Sequence, residues 1–251
     1  MKYIATSFLT IMLTVLLVAL PAYAKGKTTK ETIVYGDTKR DYFLFVPESQ
    51  SVAKPLPLLI LLHGSKRDGM SLIEKWKDIA EKEGIIIAGP NATNSASWNV
   101  GKDGPDFLRA LIEAVKSKYA VDQRRIYLFG HSAGAIFALY MSLMESEYFA
   151  ATAIHAGRLP AEDYEVTKYA KRKIPMAIWV GDRDAYFPLA GVKETQTALI
   201  SNGFSVELNV IPNHDHWYYD LAPKINRSAW DFLKTHQLSA DPVYQELRFS
   251  E

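Results

Sequence analysis

The residues best suited to chemistry stand in three places. Gly130-His131-Ser132-Ala133-Gly134 sets a serine between two glycines, directly after the apolar run Ile126–Phe129 and before a stretch rich in small residues. Gly181-Asp182-Arg183-Asp184 puts two carboxylates after the apolar run Met176–Val180, and Pro212-Asn213-His214-Asp215-His216-Trp217 puts two imidazoles after Val206–Val210. A serine hydroxyl is a poor nucleophile, so a base must take its proton and a carboxylate must orient that base. The chain order Ser, acid, His supplies all three parts. Asp182 and Asp184 compete for the acid, and His214 and His216 for the base. A G-x-S-x-G pentapeptide arises by chance only about 0.05 times in a chain of this composition, before any strand or helix is required around it. The glycines are needed because a sharp strand-to-helix turn leaves no room for side chains beside the serine.

Such residues must be carried by elements that bring distant loops together. Leu58–Leu62, Ile85–Ala88, Ile126–Phe129, Ala151–Ile154 and Met176–Val180 are uninterrupted apolar runs, the signature of parallel strands buried on both faces. Val206, Leu208 and Val210 alternate with Glu207 and Asn209, which predicts a half-exposed strand near an edge. Thr32–Tyr35 and Tyr42–Val46 flank Gly36-Asp37 and predict an antiparallel pair at the start. Helical spacing appears in Leu72, Ile73, Trp76, Ile79 and Ala80, where Ser71 to Glu74 reads as a capping box and Gly84 as the stop. It returns in Phe107–Tyr119 behind Gly104-Pro105, in Val192–Ser201 and in Asn226–Thr235. Strands alternating with helices predict an α/β architecture, a doubly wound and mostly parallel sheet with helices on both faces.

The 29 Lys and Arg against 28 Asp and Glu give no basic excess for nucleic acid or anionic lipid, and 48% hydrophobic content excludes disorder. With no cysteine, disulfides and thiolate metal sites are impossible. Lys2, the apolar run Ile4–Leu20 and Ala22-Tyr23-Ala24 follow the grammar of a cleaved signal peptide over residues 1–24. Cleavage would leave a single domain over 25–251, with 28 residues of each charge, periplasmic or secreted and without a membrane anchor. His214 and His216 are two imidazoles without a convincing third ligand, so no metal is expected.

Arg40–Pro47, the Leu61-Leu62-His63-Gly64 turn, Val121–Gly134, Asp184 with Phe187-Pro188, and His216-Trp217 together resemble the α/β-hydrolases. Within that superfamily they are similar to the secreted esterase group that includes polyhydroxybutyrate depolymerases and feruloyl or acetylxylan esterases. The resemblance spans nearly all of residues 25–251. It implies Ser132 as nucleophile, Asp184 as acid and His216 as base, with the backbone N–H groups of Ser65 and Ala133 as the oxyanion hole. It implies a positioning role for His63. His131, His155 and His236 are read as structural.

The expected reaction is cofactor-free hydrolysis of small or polymeric esters through an acyl-enzyme. Trp98 and Trp217 are candidate aromatic rims for phenolic or sugar groups. Residues 158–174 are too few for a large lid, which predicts an open cleft suited to short acyl groups on bulky alcohols. A serine peptidase shares the triad, and a noncatalytic binding protein shares the fold. Absence of a large cap disfavours the first, and the presence of all three triad candidates disfavours the second.

Overall fold

A computed structural model describes residues 26–48 and 54–245; the predicted signal peptide lies outside the described residues. Eight strands form one sheet: β1 (Lys27–Tyr35), β2 (Thr38–Val46), β3 (Leu56–Leu62), β4 (Ile86–Pro90), β5 (Val121–His131), β6 (Ala151–His155), β7 (Met176–Gly181) and β8 (Val206–Ile211). Their order is β1-β2-β4-β3-β5-β6-β7-β8. β1 and β2 pair antiparallel and β2 meets β4 antiparallel, while every pairing from β4 through β3 to β8 is parallel. β8 is the edge strand its alternation predicted.

The apolar runs are uninterrupted because both faces of the sheet are covered. Leu58, Ile60 and Leu62 of β3 point into one core with α3 (Pro105–Lys116), α4 (Ala133–Met144) and α5 (Leu189–Ser201). Leu59 and Leu61, one residue out of phase, point into the other with α1 (Gly69–Glu83) and α6 (Ala222–Leu233).

Three helix starts differ from the sequence expectation. The Ser71–Glu74 capping box is not formed: Asp68 is the N-cap of α1, its carboxylate accepting from Ser71 N at 3.0 Å. Both residues can cap, and the turn that leads into the helix decides for Asp68. Proline lies behind the other two. Pro188 precedes α5, which begins at Leu189, and Pro223 lies in the first turn of α6, which begins at Ala222. A short helix α2 (Val100–Asp103), capped by the Asn99 side chain, precedes α3.

Residues 158–174 hold a 3-10 helix, Ala161–Tyr169, that packs beside α4 and α5, where the Tyr140 hydroxyl donates to Asp163. None of these residues lines the cleft described next.

Candidate active site

The carboxyl ends of four parallel strands converge on Ser132, the position where open α/β sheets bind their ligands. β5 delivers it through a turn so tight that an added side chain would collide at both flanking glycines. A Cβ at Gly130 would stand 2.2 Å from Gly134 O, and one at Gly134 only 2.0 Å from Leu62 O. Ser132 itself takes φ 57° and ψ −120°, a sparsely populated region that stores about 1–3 kcal/mol of strain. The surrounding contacts hold it there: its N–H donates to His155 O at 3.0 Å, and α4 begins at the next residue.

β7 and β8 supply the other two groups. His216 Nε2 lies 2.9 Å from Ser132 Oγ, and His216 Nδ1 lies 2.9 Å from Asp184 Oδ2. The other Asp184 oxygen accepts from Tyr186 N at 2.9 Å and Phe187 N at 2.8 Å. Burial acts to raise the Asp184 pKa, but the hydrogen bonds from His216, Phe187 and Tyr186 outweigh it and hold the carboxyl below the usual aspartate value. An ionised carboxylate can only accept, so Nδ1 carries the imidazole proton and the Nε2 lone pair faces the serine hydroxyl. That tautomer can take a proton from Oγ. The two loops close on each other at Gly181, where a Cβ would sit 2.0 Å from His214 O.

The rival residues go elsewhere. Asp182 is exposed to solvent, and His214 is buried with its ring against His155 at 5.6 Å. The structure therefore brings together Ser132, Asp184 and His216 and leaves Asp182 and His214 out of that hydrogen-bonded line.

Ser65 and Ala133 flank the serine on two different elements, the turn after β3 and the first residue of α4. Among the described residues neither N–H donates to a protein acceptor. His63 shapes the turn. Its Nε2 accepts from Ala92 N at 3.1 Å, which leaves Nδ1 to donate to Gly64 O at 2.9 Å. Burial lowers its pKa, in keeping with a neutral ring. Lys66 N donates to Ser95 O at 2.7 Å. The loop behind the turn, residues 91–99, is fixed in turn by buried Asp103, which accepts from Thr93 N and Asn99 N and pairs with Arg40 at 2.7 Å.

Trp98 is corrected. It does not line the cleft around Ser132: its ring stacks on Phe137 at 4.9 Å and its indole N–H donates to His63 O at 2.9 Å. An indole has one donor, and here a carbonyl behind the turn captures it, making Trp98 part of the scaffold. Trp217 does line the cleft and is 44% exposed.

The cleft is open, with a volume of about 610 Å³. Besides the residues above, its walls include Tyr219 together with Lys66, Arg67, Arg183 and Tyr186, the last four not singled out from the sequence. A signal was present, because Lys66-Arg67 follow the Gly64-Ser65 turn directly and Arg183 adjoins Asp184. His131 and His155 lie behind His216 as a buried pair, their Nδ1 atoms 3.1 Å apart, with the His131 ring 5.1 Å from that of His216. Burial, reinforced by nearby His216, pushes His131 down to about 3, and burial and the neighbouring imidazoles push His155 well below its ordinary value. Both stay neutral.

A family model described as Phospholipase/Carboxylesterase matches residues 102–236. The probable feruloyl esterase C of Aspergillus terreus is 29% identical over 159 residues, 59% of this chain and 58% of that one. A bifunctional acetylxylan esterase/xylanase of Neocallimastix patriciarum is 29% identical over 105 residues, 40% of this chain and 15% of that protein. The chain thus spans less than two thirds of the length of either relative. Among solved structures, a fluorophosphonate-binding serine hydrolase of Staphylococcus aureus superposes with a TM-score of 0.73 at 16% identity, covering 84% of this chain and 99% of that one. At that identity the likeness speaks for the fold alone. Among the described residues no helix is long and apolar enough to cross a membrane.

Proposed function

The chain belongs to the phospholipase/carboxylesterase family of α/β-hydrolases, and from that premise we propose that it is a serine ester hydrolase acting through an acyl-enzyme at Ser132. The observation that carries this reading is the unbroken line Ser132 Oγ, His216, Asp184, with both contacts at 2.9 Å. In the first step Ser132 Oγ attacks the ester carbonyl carbon while its proton passes to His216 Nε2. Asp184 holds the ring and stabilises the imidazolium. The negative charge that develops on the carbonyl oxygen is met by the Ser65 and Ala133 N–H groups, each worth roughly 3–4 kcal/mol to the transition state. Collapse breaks the bond to the alcohol, which leaves with the proton from Nε2. Water then attacks the acyl-enzyme, again losing its proton to Nε2, and the carboxylic acid departs as that proton returns to Ser132.

The substrates in this reading are short or phenolic acyl esters of bulky or polymeric alcohols. Openness of the cleft supports this, as do exposed Trp217 and Tyr186 at its rim and the acetylxylan and feruloyl esterase names of the relatives. Residues 1–24 are a signal peptide in the same reading, supported by their basic start, apolar middle and small-residue end, and 25–251 form one periplasmic or secreted domain. Intact mass of the exported protein checks the cleavage.

Fluorophosphonate labelling and turnover of a short-chain nitrophenyl ester test the chemistry. Ser132→Ala is expected to abolish labelling and lower kcat by at least about 10³-fold, with the thermal melt little changed because only a half-buried hydroxyl and its hydrogen bond to His216 are removed. Retained wild-type turnover in this variant removes the proposal.

A further inference from the structure

The cleft around Ser132 carries more positive charge than the chain as a whole. Lys66, Arg67 and Arg183 line it, against the single acidic side chain of Asp215. Among the described residues no carboxylate oxygen lies within ion-pair distance of any of the three cations. Of the nearby acids, Asp182 beside Arg183 is exposed and three others are engaged elsewhere. Asp68 next to Arg67 accepts from Ser71 N at the start of α1, Asp215 accepts from Trp217 N at 2.8 Å, and Asp184 is buried against His216.

Side-chain contacts hold two of the cations in place, Arg67 and Arg183. The Arg67 guanidinium lies 5.3 Å from the Trp217 ring centre and 5.0 Å from that of Tyr219, a geometry that fixes the group while leaving its N–H edge free to donate. Lys66 sits at φ 60°, in the left-handed region where glycine would be cheaper, with its N–H tied to Ser95 O. The turn therefore presents a lysine where backbone conformation favours none. Facing them, Arg183 leaves β7 one residue before Asp184 and uses its guanidinium on the Asn213 side-chain oxygen.

Resting on the esterase reading of Ser132, we propose that this site selects esters bearing a carboxylate away from the scissile bond, which Arg67 grips as a bidentate partner while Lys66 and Arg183 supply the field. A cleft with an excess of one sign of charge concentrates oppositely charged ligands, and a guanidinium fork matches a carboxylate geometrically. The aromatic faces under Arg67 leave room for an acid whose body is flat or sugar-like.

Matched pairs test this on the full chain. On the acyl side, the nitrophenyl half-ester of glutaric acid is compared with nitrophenyl valerate; on the alcohol side, 4-acetoxybenzoate is compared with its methyl ester. In at least one pair the anionic member is expected to have kcat/KM at least about fivefold above its neutral partner at low salt. That ratio should fall more than twofold in about 0.5 M NaCl and again in Arg67→Gln with Arg183→Gln, both exposed positions whose folding a melt verifies. A ratio below fivefold in both pairs overturns the proposal, and so does a ratio that salt and the double variant leave within twofold. The two readings fail differently. Hydrolysis of the neutral esters without the anionic preference sinks only the carboxylate proposal, whereas no turnover of any ester and no fluorophosphonate labelling of Ser132 sinks the esterase reading beneath it.

Discussion

Asp103 and Asp184 both have side chains with no solvent exposure, yet they lie in regions built for opposite purposes. Asp103, under the turn after β3, is surrounded by donors that stay where they are: Arg40 Nη2 at 2.7 Å, Thr93 N and Asn99 N at 2.9 Å each, and the Thr93 hydroxyl. Asp184, at the end of β7, commits one oxygen to two backbone N–H groups and gives the other to an imidazole, which can take up and release a proton. A buried carboxylate ringed by permanent donors immobilises a loop. One that shares its charge with a proton carrier, open to a cleft on its far side, can serve a reaction.

The largest effect separating the two regions should come from Asp184→Asn. Orientation of His216 and stabilisation of its charged form would be lost, and kcat on a nitrophenyl ester should drop by about 10³–10⁴-fold with the melt shifted only modestly. His216→Ala should match it, while His214→Ala should cost less than about tenfold, since His214 faces His155 and not the serine. Equal losses from both histidine variants, each folded, would place the proton path through the buried cluster instead.

Asp103→Ala should break the other region in the opposite way. It takes the carboxylate from the Arg40 guanidinium, which keeps only its hydrogen bonds to Asn91 O and Lys102 O, and strips the Thr93 and Asn99 N–H groups of their acceptor, so stability should fall by about 3–5 kcal/mol in denaturant unfolding. The folded fraction should keep most of its kcat. A larger loss of kcat than of stability would mean that the loop over residues 91–99 controls the Ser65 N–H more tightly than its hydrogen bonds suggest.

Glu145, at the end of α4, sharpens the contrast as a third buried carboxylate, with Gln245 N its one backbone donor among the described residues. Burial, helped by repulsion from Asp106, pushes it up to about 7 from its ordinary 4.5. With so few donors it favours the protonated form. A carboxyl raised on folding binds a proton more tightly in the native state, so its contribution is most favourable below pH 4.5 and is lost as pH rises from 4.5 through 7. Glu145→Gln should therefore gain stability relative to the wild type on going from pH 4.5 to pH 8, by at most about 3 kcal/mol. A pH-independent difference between the two proteins would show that the folded carboxyl does not titrate in that window.

Much of this molecule is written locally. Apolar runs such as Leu58–Leu62 announce strands buried on both faces, and the alternation at Val206–Val210 announces an edge, because side-chain direction along a strand repeats every two residues whatever the rest of the chain does. Gly130 announces the sharp turn at Ser132 for a local reason, that Gly134 O excludes a Cβ there, whereas the contact that excludes one at Gly134 comes from Leu62 O, far away in the chain. The Ser71 capping box misled because two residues within three positions can both cap a helix start, and sequence spacing alone does not choose between Asp68 and Ser71.

The sequence by itself determined the class of fold, the serine and the two loops from which its partners come. Residue types and spacing left two candidates in each loop, and the family resemblance pointed to Asp184 and His216; only the tertiary structure brings those two to the serine, through the strand order β3-β5-β6-β7-β8 and contacts such as Gly181 against His214, between residues far apart in the chain. It also turned Trp98 away from the cleft to a carbonyl on the far side of the turn, and gathered Lys66, Arg67 and Arg183 from two separate loops onto one opening. The physical reason is common to both: side-chain direction in a loop is set by what packs behind it, and what packs behind it is chosen by the fold.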